Sequence, residues 1–181
     1  TTVSRWSYGM SKALDEHLLL SAHREGGLSV VMARLFNTIG PRQVGRYGMV
    51  VPRFVAAAVN DEPLLIYGDG QQTRTFCDVR DVVAALMALM GDSALDGDIF
   101  NVGSADSVTI EGLADRVIKL TGRGRKAFRP FEEVFPEGFE EMRHRVPDIG
   151  RLQAAIDFHC RYSLDQTLEE LIATACKAGG P

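Results

Sequence analysis

Apolar positions along this chain fall into alternating long and short blocks. From Ser7 to about Glu25, Tyr8, Ala13, His17, Leu18 and Leu20 to Ala22 recur at helical spacing and predict an amphipathic helix. "REGGL" closes it, because glycine readily takes the left-handed conformation at a helix end. "LSVVMARLF" (28–36) is almost unbroken in apolar character, the pattern of a strand buried on both faces. A polar, glycine-rich loop (37–48) leads into a helix over 50–59, with Pro52 near its start, where proline is tolerated. Strands are predicted at 62–70 and 73–79, an apolar helix at 80–90, and a buried strand at 98–104. Thr109 caps a helix over 111–120, and a last helix runs over 165–177. Between Arg123 and Pro147 the chain is polar and carries little periodic signal.

Alternating strands and helices place the chain in the α/β class. Its 181 residues suffice for one domain with a core, or a domain plus part of another. A net charge of -4 gives no reason to expect nucleic acid as a partner. No apolar run reaches the roughly 20 residues that span a bilayer, and no leader pattern is visible. Cys77, Cys160 and Cys176 lack CxxC spacing and read as reduced thiols of a cytoplasmic protein. The four histidines form no ligand pattern, so no metal is predicted.

Candidate chemistry begins with "YGMSK" (8–12). Four residues apart on a helix, Tyr8 and Lys12 share a face. An ammonium beside a phenol favours the phenolate, which makes Tyr8 a candidate acid or base for a hydroxyl. "GDGQQT" (68–73) contains GxG, but Thr73 stands where a third glycine would be and a strand follows. It is therefore not a dinucleotide fingerprint. Asp78 and Asp81 are read as fixing the turn into the 80–90 helix, and Arg34 and Arg42 as structural.

In order, "YGMSK", "ARLFNTIGPR" (33–42), "YGDGQQTRTFCDVRDV" (67–82), "FNVGS" (100–104) and "RHRVPD" (143–148) resemble the extended short-chain dehydrogenase/reductase family. More narrowly the chain looks like the NAD-dependent nucleotide-sugar epimerases and dehydratases, over nearly its whole length. The resemblance implies residues 1–48 closing a Rossmann-type parallel sheet. Residues 49–181 would be a smaller mixed α/β nucleotide-sugar domain, with strand 98–104 a candidate to return to the main sheet. It implies NAD as cofactor, Tyr8 as catalytic acid/base, and Lys12 holding the nicotinamide ribose. Arg74 and Arg145 would grip the diphosphate from two sides, with Arg143 as a substitute for Arg145. Asn37 would reach a phosphate or sugar oxygen, Tyr67 the base, and Asp148 the nucleotide ribose.

The reaction favoured by the sequence is C4 epimerisation of a UDP-hexose through a 4-keto sugar. UDP-glucuronate decarboxylases are the first alternative. They tend to carry an arginine in "DGRVV", where this chain has "YGMVV" and Met49. A sugar 4,6-dehydratase, a 4-reductase and a non-catalytic sugar-nucleotide-binding module are the others. The family's phosphate-binding glycines precede the tyrosine. The chain is therefore expected to be one part of a longer, homodimeric enzyme, and inactive without the NAD-binding part.

Overall fold

A computed structural model describes residues 5–43, 45, 49–134 and 142–178. The proposed boundary at Gly48, the "YG" of "YGMVV" and part of the 123–147 stretch lie outside them. In chain order the elements are α1 (Arg5–Gly26), β1 (Met32–Leu35), β2 (Thr38–Ile39), α2 (Val50–Val59) and β3 (Pro63–Tyr67). Next come β4 (Thr73–Thr75), β5 (Cys77–Asp78), α3 (Val79–Met90), β6 (Ile99–Val102) and β7 (Ser107–Thr109). The chain finishes with α4 (Ile110–Thr121), β8 (Arg125–Arg129), β9 (His144–Arg145), α5 (Gly150–Ile156) and α6 (Leu164–Ala178).

Parallel pairing dominates. β1 pairs with β6, β2 with β5, and β3 with β8, all parallel. β4 sits between β7, which runs antiparallel to it, and β9, which runs parallel. Two cores form around these ribbons. In one, Phe54 and Ala58 of α2, Leu64 and Ile66 of β3, Leu113 and Val117 of α4 and Leu168 of α6 are buried together. In the other, Val82, Ala85 and Leu89 of α3 pack with Phe100 and Val102 of β6, Leu152 of α5 and Phe158.

The strand predicted at 28–36 contracts to Met32–Leu35, and it is not buried on both faces. Arg34 and Leu35 are exposed, because among the described residues β1 pairs only with β6. The 73–79 strand divides at Phe76 into β4 and β5, which serve different sheets. β8, β9 and α5 had no periodic signature; "RKAFR" has two apolar residues and gains its strand by lying along β3. Helix α1 stays outside both cores, with Trp6, Met10, Leu14 and Leu18 exposed. Its anchor is a two-pronged ion pair, Arg34 Nε and Nη2 donating to Glu16 at 2.7 and 2.6 Å.

The seam between the cores is polar and buried. Asp78, wholly buried, accepts from the Arg80 backbone N–H and from Arg80 Nε, each at 2.8 Å, through Oδ1. Its Oδ2 accepts from Arg80 Nη2 and the Thr167 hydroxyl, each at 2.8 Å. Thr167 belongs to α6, so the acid that starts α3 also fastens the last helix. Arg80 extends the link to Glu170 at 3.0 Å and lies 3.6 Å above the Tyr162 ring. Asp81 Oδ2 accepts from the backbone N–H groups of Arg161 and Tyr162 at 3.1 and 3.2 Å. Asp78 thus caps the turn into α3 as expected, whereas the Asp81 carboxylate, expected to fix the same turn, instead holds the C-terminal segment.

Burial alone would raise the Asp78 pKa. The bonds from Arg80 and Thr167 outweigh it, so the carboxyl sits below its ordinary value. The stabilisation it gives is present above about pH 4 and is lost as pH falls through the lowered folded value. Urea midpoints should drop on acidification below about pH 4. Asp78→Asn should cost about 2 kcal/mol at neutral pH and flatten that acid limb; an unchanged limb would remove Asp78 from its cause.

Candidate functional site

A cavity of about 700 Å³ opens between the N-terminal end of α2, the ends of β1 and β3, and the β4–β9 pair. Its floor is apolar, with Val51, Phe54, Phe76 and Ile110. Its polar lining includes Asn37, Gln43, Arg53, Tyr67, Gln72, Arg74 and Arg145. Among the described residues that lining holds three arginines and no aspartate or glutamate. Such a wall raises the local positive potential and suits an anion.

Each polar group is placed by a specific local reason. Asn37 continues β1 toward β2, and its Nδ2 donates to the Thr75 carbonyl at 2.9 Å. The wall of β1–β2 is thereby tied to β4. Arg53, on the first turn of α2, lies 5.1 Å from the centre of the Tyr67 ring and donates to its hydroxyl at 2.6 Å. Arg74 donates through Nη1 to the Thr73 carbonyl at 2.8 Å. The Arg145 guanidinium lies 5.4 Å from the centre of the Phe36 ring. Gln72 donates to the Tyr67 carbonyl at 3.0 Å. The buried oxygens Gln43 Oε1 and Gln72 Oε1 accept no hydrogen bond, and buried acceptors of this kind suit ligand N–H or O–H groups.

β-Sheet register sets a further electrostatic feature. Arg74 and Arg145 are direct partners in the parallel β4–β9 pairing, so they emerge on the same face as neighbours. The sequence reading put them on two sides of a ligand; the structure puts them side by side. Like charges on adjacent strands oppose each other, and a divalent anion between them turns the repulsion into attraction.

Of the seven residues proposed from sequence, Asn37, Tyr67, Arg74 and Arg145 line one cavity. Asp148 does not. Its Oδ1 accepts from Gly150 N at 2.9 Å, starting α5, and its carbonyl accepts from Asn101 Nδ2 at 2.9 Å. Arg143 is likewise turned away, paired with Asp69 at 2.9 Å. Gly68, between β3 and β4, has φ 69°, and an added Cβ would lie 2.1 Å from Phe131 of the cavity lining. "GDGQQT" is therefore a packing turn that leads into β4. Arg53 was missed, although its place on the first turn of a predicted helix beside a loop was a usable signal.

Tyr8 and Lys12 sit apart from the cavity lining, on the exposed side of α1. Tyr8 is 71% exposed. Lys12 Nζ lies 6.0 Å from the centre of its ring, so the two do share a face. In this structure the ammonium donates to Asp15 at 2.6 Å, and that bond and charge raise the Lys12 pKa above its ordinary value. A phenol and an ammonium on an open helix face fit the ribose end of a dinucleotide.

A model of the NAD dependent epimerase/dehydratase family matches residues 1–103. UDP-N-acetyl-alpha-D-glucosaminuronate decarboxylase of Bacillus cytotoxicus is 43% identical over 174 residues, covering 95% of this chain and 54% of its own length. UDP-glucuronic acid decarboxylase 4 of Arabidopsis thaliana is 36% identical over 169 residues, covering 93% of this chain and 36% of its own. The solved structure of UDP-glucose 4-epimerase with UDP-glucose from Thermotoga maritima is similar at TM-score 0.85 and 26% identity. It covers 94% of this chain and 53% of that one. The chain spans about half the length, or less, of these relatives. No helix among the described residues is long and apolar enough to cross a membrane.

Because Arg145 opposes a like charge, Arg145→Ala should leave ligand-free stability within about 0.5 kcal/mol of the parent, or above it. Inorganic pyrophosphate should raise the melting temperature of the parent and lose most of that effect in the variant. Equal stabilisation of both proteins would place the anion elsewhere.

Proposed function

The chain belongs to the NAD dependent epimerase/dehydratase family, and we propose that it carries the nucleotide-sugar site of an enzyme that decarboxylates a UDP-uronate. The observation that carries the anionic half of this reading is the cavity with paired arginines and no described carboxylate. The uronate is supported by the relatives named as decarboxylases, one at 43% identity over 95% of the chain.

In this reading Arg74 and Arg145 hold the pyrophosphate, each through charge-assisted hydrogen bonds. Asn37 faces a phosphate or sugar oxygen with the amide that also ties it to Thr75. Tyr67, with Arg53 on its ring and hydroxyl, borders the base, and Gln43 and Gln72 offer it acceptors. Tyr8 takes the proton from the sugar O4 and returns it at the end of the cycle. The Lys12 ammonium favours the phenolate form and holds the nicotinamide ribose. When bound, NAD supplies the hydride acceptor and donor for C4. With a carbonyl at C4, the C5–C6 bond of a uronate lies β to it. Carbon dioxide then leaves while the electron pair passes into that carbonyl, and C5 takes up a proton from water in place of the lost carboxylate.

C4 epimerisation, the reaction favoured from sequence, is the second reading. Met49 supports it: it lines the cavity, 47% exposed, where the decarboxylase pattern has arginine. An apolar side chain there offers a carboxylate no partner. The two readings part cleanly in one assay. Full-length protein with NAD should release carbon dioxide from UDP-glucuronate or its N-acetylglucosamine counterpart and leave UDP-glucose unchanged. UDP-galactose from UDP-glucose, without carbon dioxide from either uronate, would select epimerisation.

Tyr8→Phe should lower turnover by about a thousandfold, with UDP affinity unchanged. By calorimetry, Arg74→Ala and Arg145→Ala should each weaken UDP binding by about 2 kcal/mol. Unchanged affinity in both variants would discard the proposed grip.

A further inference from the structure

We propose that Cys77 and Cys160 form a reversible disulfide that ties the segment between α5 and α6 to β5. Their sulfurs lie 3.9 Å apart although the residues are 83 positions apart in the chain. A disulfide needs an approach of about 2 Å more. Cys77 is fixed in a strand and buried, whereas Cys160 is exposed in a connecting segment, so rotation of the Cys160 side chain can supply the closure.

The surroundings hold the pair in place. Asp81 receives the N–H groups of Arg161 and Tyr162, the two residues after Cys160. Cys77 N donates to the Asn37 carbonyl at 2.9 Å. Both backbones are thus anchored before any bond forms, and little freedom remains to be lost on closure. Contact with Cys77 draws the Cys160 pKa down, aided by the Ser104 hydroxyl and opposed by burial and the Asp81 and Asp106 charges. The same contact, with burial, pushes Cys77 up. Cys160, exposed, is therefore the attacking sulfur, and Cys77, buried behind it, the resolving one.

Oxidised glutathione balances the reaction. Cys160 thiolate attacks one of its sulfurs and expels one glutathione thiolate. Cys77 then gives up its proton, attacks Cys160 Sγ in the mixed disulfide and expels the second glutathione. Two electrons and two protons pass to glutathione in all. Asp81 lies within the same cluster, its carboxylate and the two sulfurs within 4.8 Å of one another. A metal ion held there is the competing chemistry, at a carboxylate whose Oδ2 is already bonded to two backbone N–H groups.

The test is to equilibrate the full chain with oxidised and reduced glutathione, trap thiols by acid alkylation and map the peptides. The expected product joins the Cys77 and Cys160 peptides, lighter than the two thiols by two hydrogen atoms, with Cys176 outside it. Cys160→Ser should abolish the joined peptide while keeping the parent's circular dichroism; Cys176→Ser should leave it intact. Cleaving the bond with dithiothreitol should lower the urea midpoint of the oxidised protein to that of the reduced parent. Recovery of Cys77 and Cys160 as separate alkylated or glutathionylated residues would overturn the proposal. So would a Cys160–Cys176 product, or zinc retained in stoichiometric amount until a chelator removes it.

Discussion

One carboxylate that cannot stay buried unpaired organises this fold. Taking a charge out of water costs several kcal/mol unless hydrogen bonds replace its hydration. Asp78 meets that demand by recruiting the start of its own helix, the guanidinium two residues on, and a hydroxyl from α6. Asp81 adds the backbone after Cys160. The C-terminal segment is consequently pinned to β5, and β5 to β2. From that seam Asn37 and Phe76 project into the cavity wall. Geometry at the binding surface is inherited from a buried ionic knot.

Helices were legible where apolar spacing and caps agreed. Thr109 accepts from Gly112 N as its position suggested, and α2, α3, α4 and α6 appear within a residue or two of the expected bounds. Gly27, with φ 69°, follows the end of α1. Strands were legible only where burial imposed an apolar run. β8 and β9 are made by partners far along the chain, and such long-range pairing leaves no local pattern. The candidate site divides the same way. Motif order brought Asn37, Tyr67, Arg74 and Arg145 together, whereas Asp148 looked equally chemical but lies outside that lining, with its Oδ1 bonded at the start of α5. Loop register around Arg143 and Arg145 could not be read without β4 beside it.

The chain also separates two kinds of chemistry. Positive charge gathers around the cavity, while the phenol and ammonium stand on a helix held by the Arg34–Glu16 pair. That pair joins α1 to β1, whose end becomes the cavity wall at Leu35 and Phe36. One strand therefore carries the registration between the Tyr8–Lys12 face and the cavity. Its exposed outer residues explain why it is shorter than its apolar run.

The shared register of Arg74 and Arg145 has a mechanical consequence. β9 is only two residues long, and its pairing with β4 sets two like charges side by side. An anion placed between the two guanidinium groups would act as a fastener for that edge. Dissolved salt, by screening the two guanidinium groups, imitates that anion mechanically without filling its place.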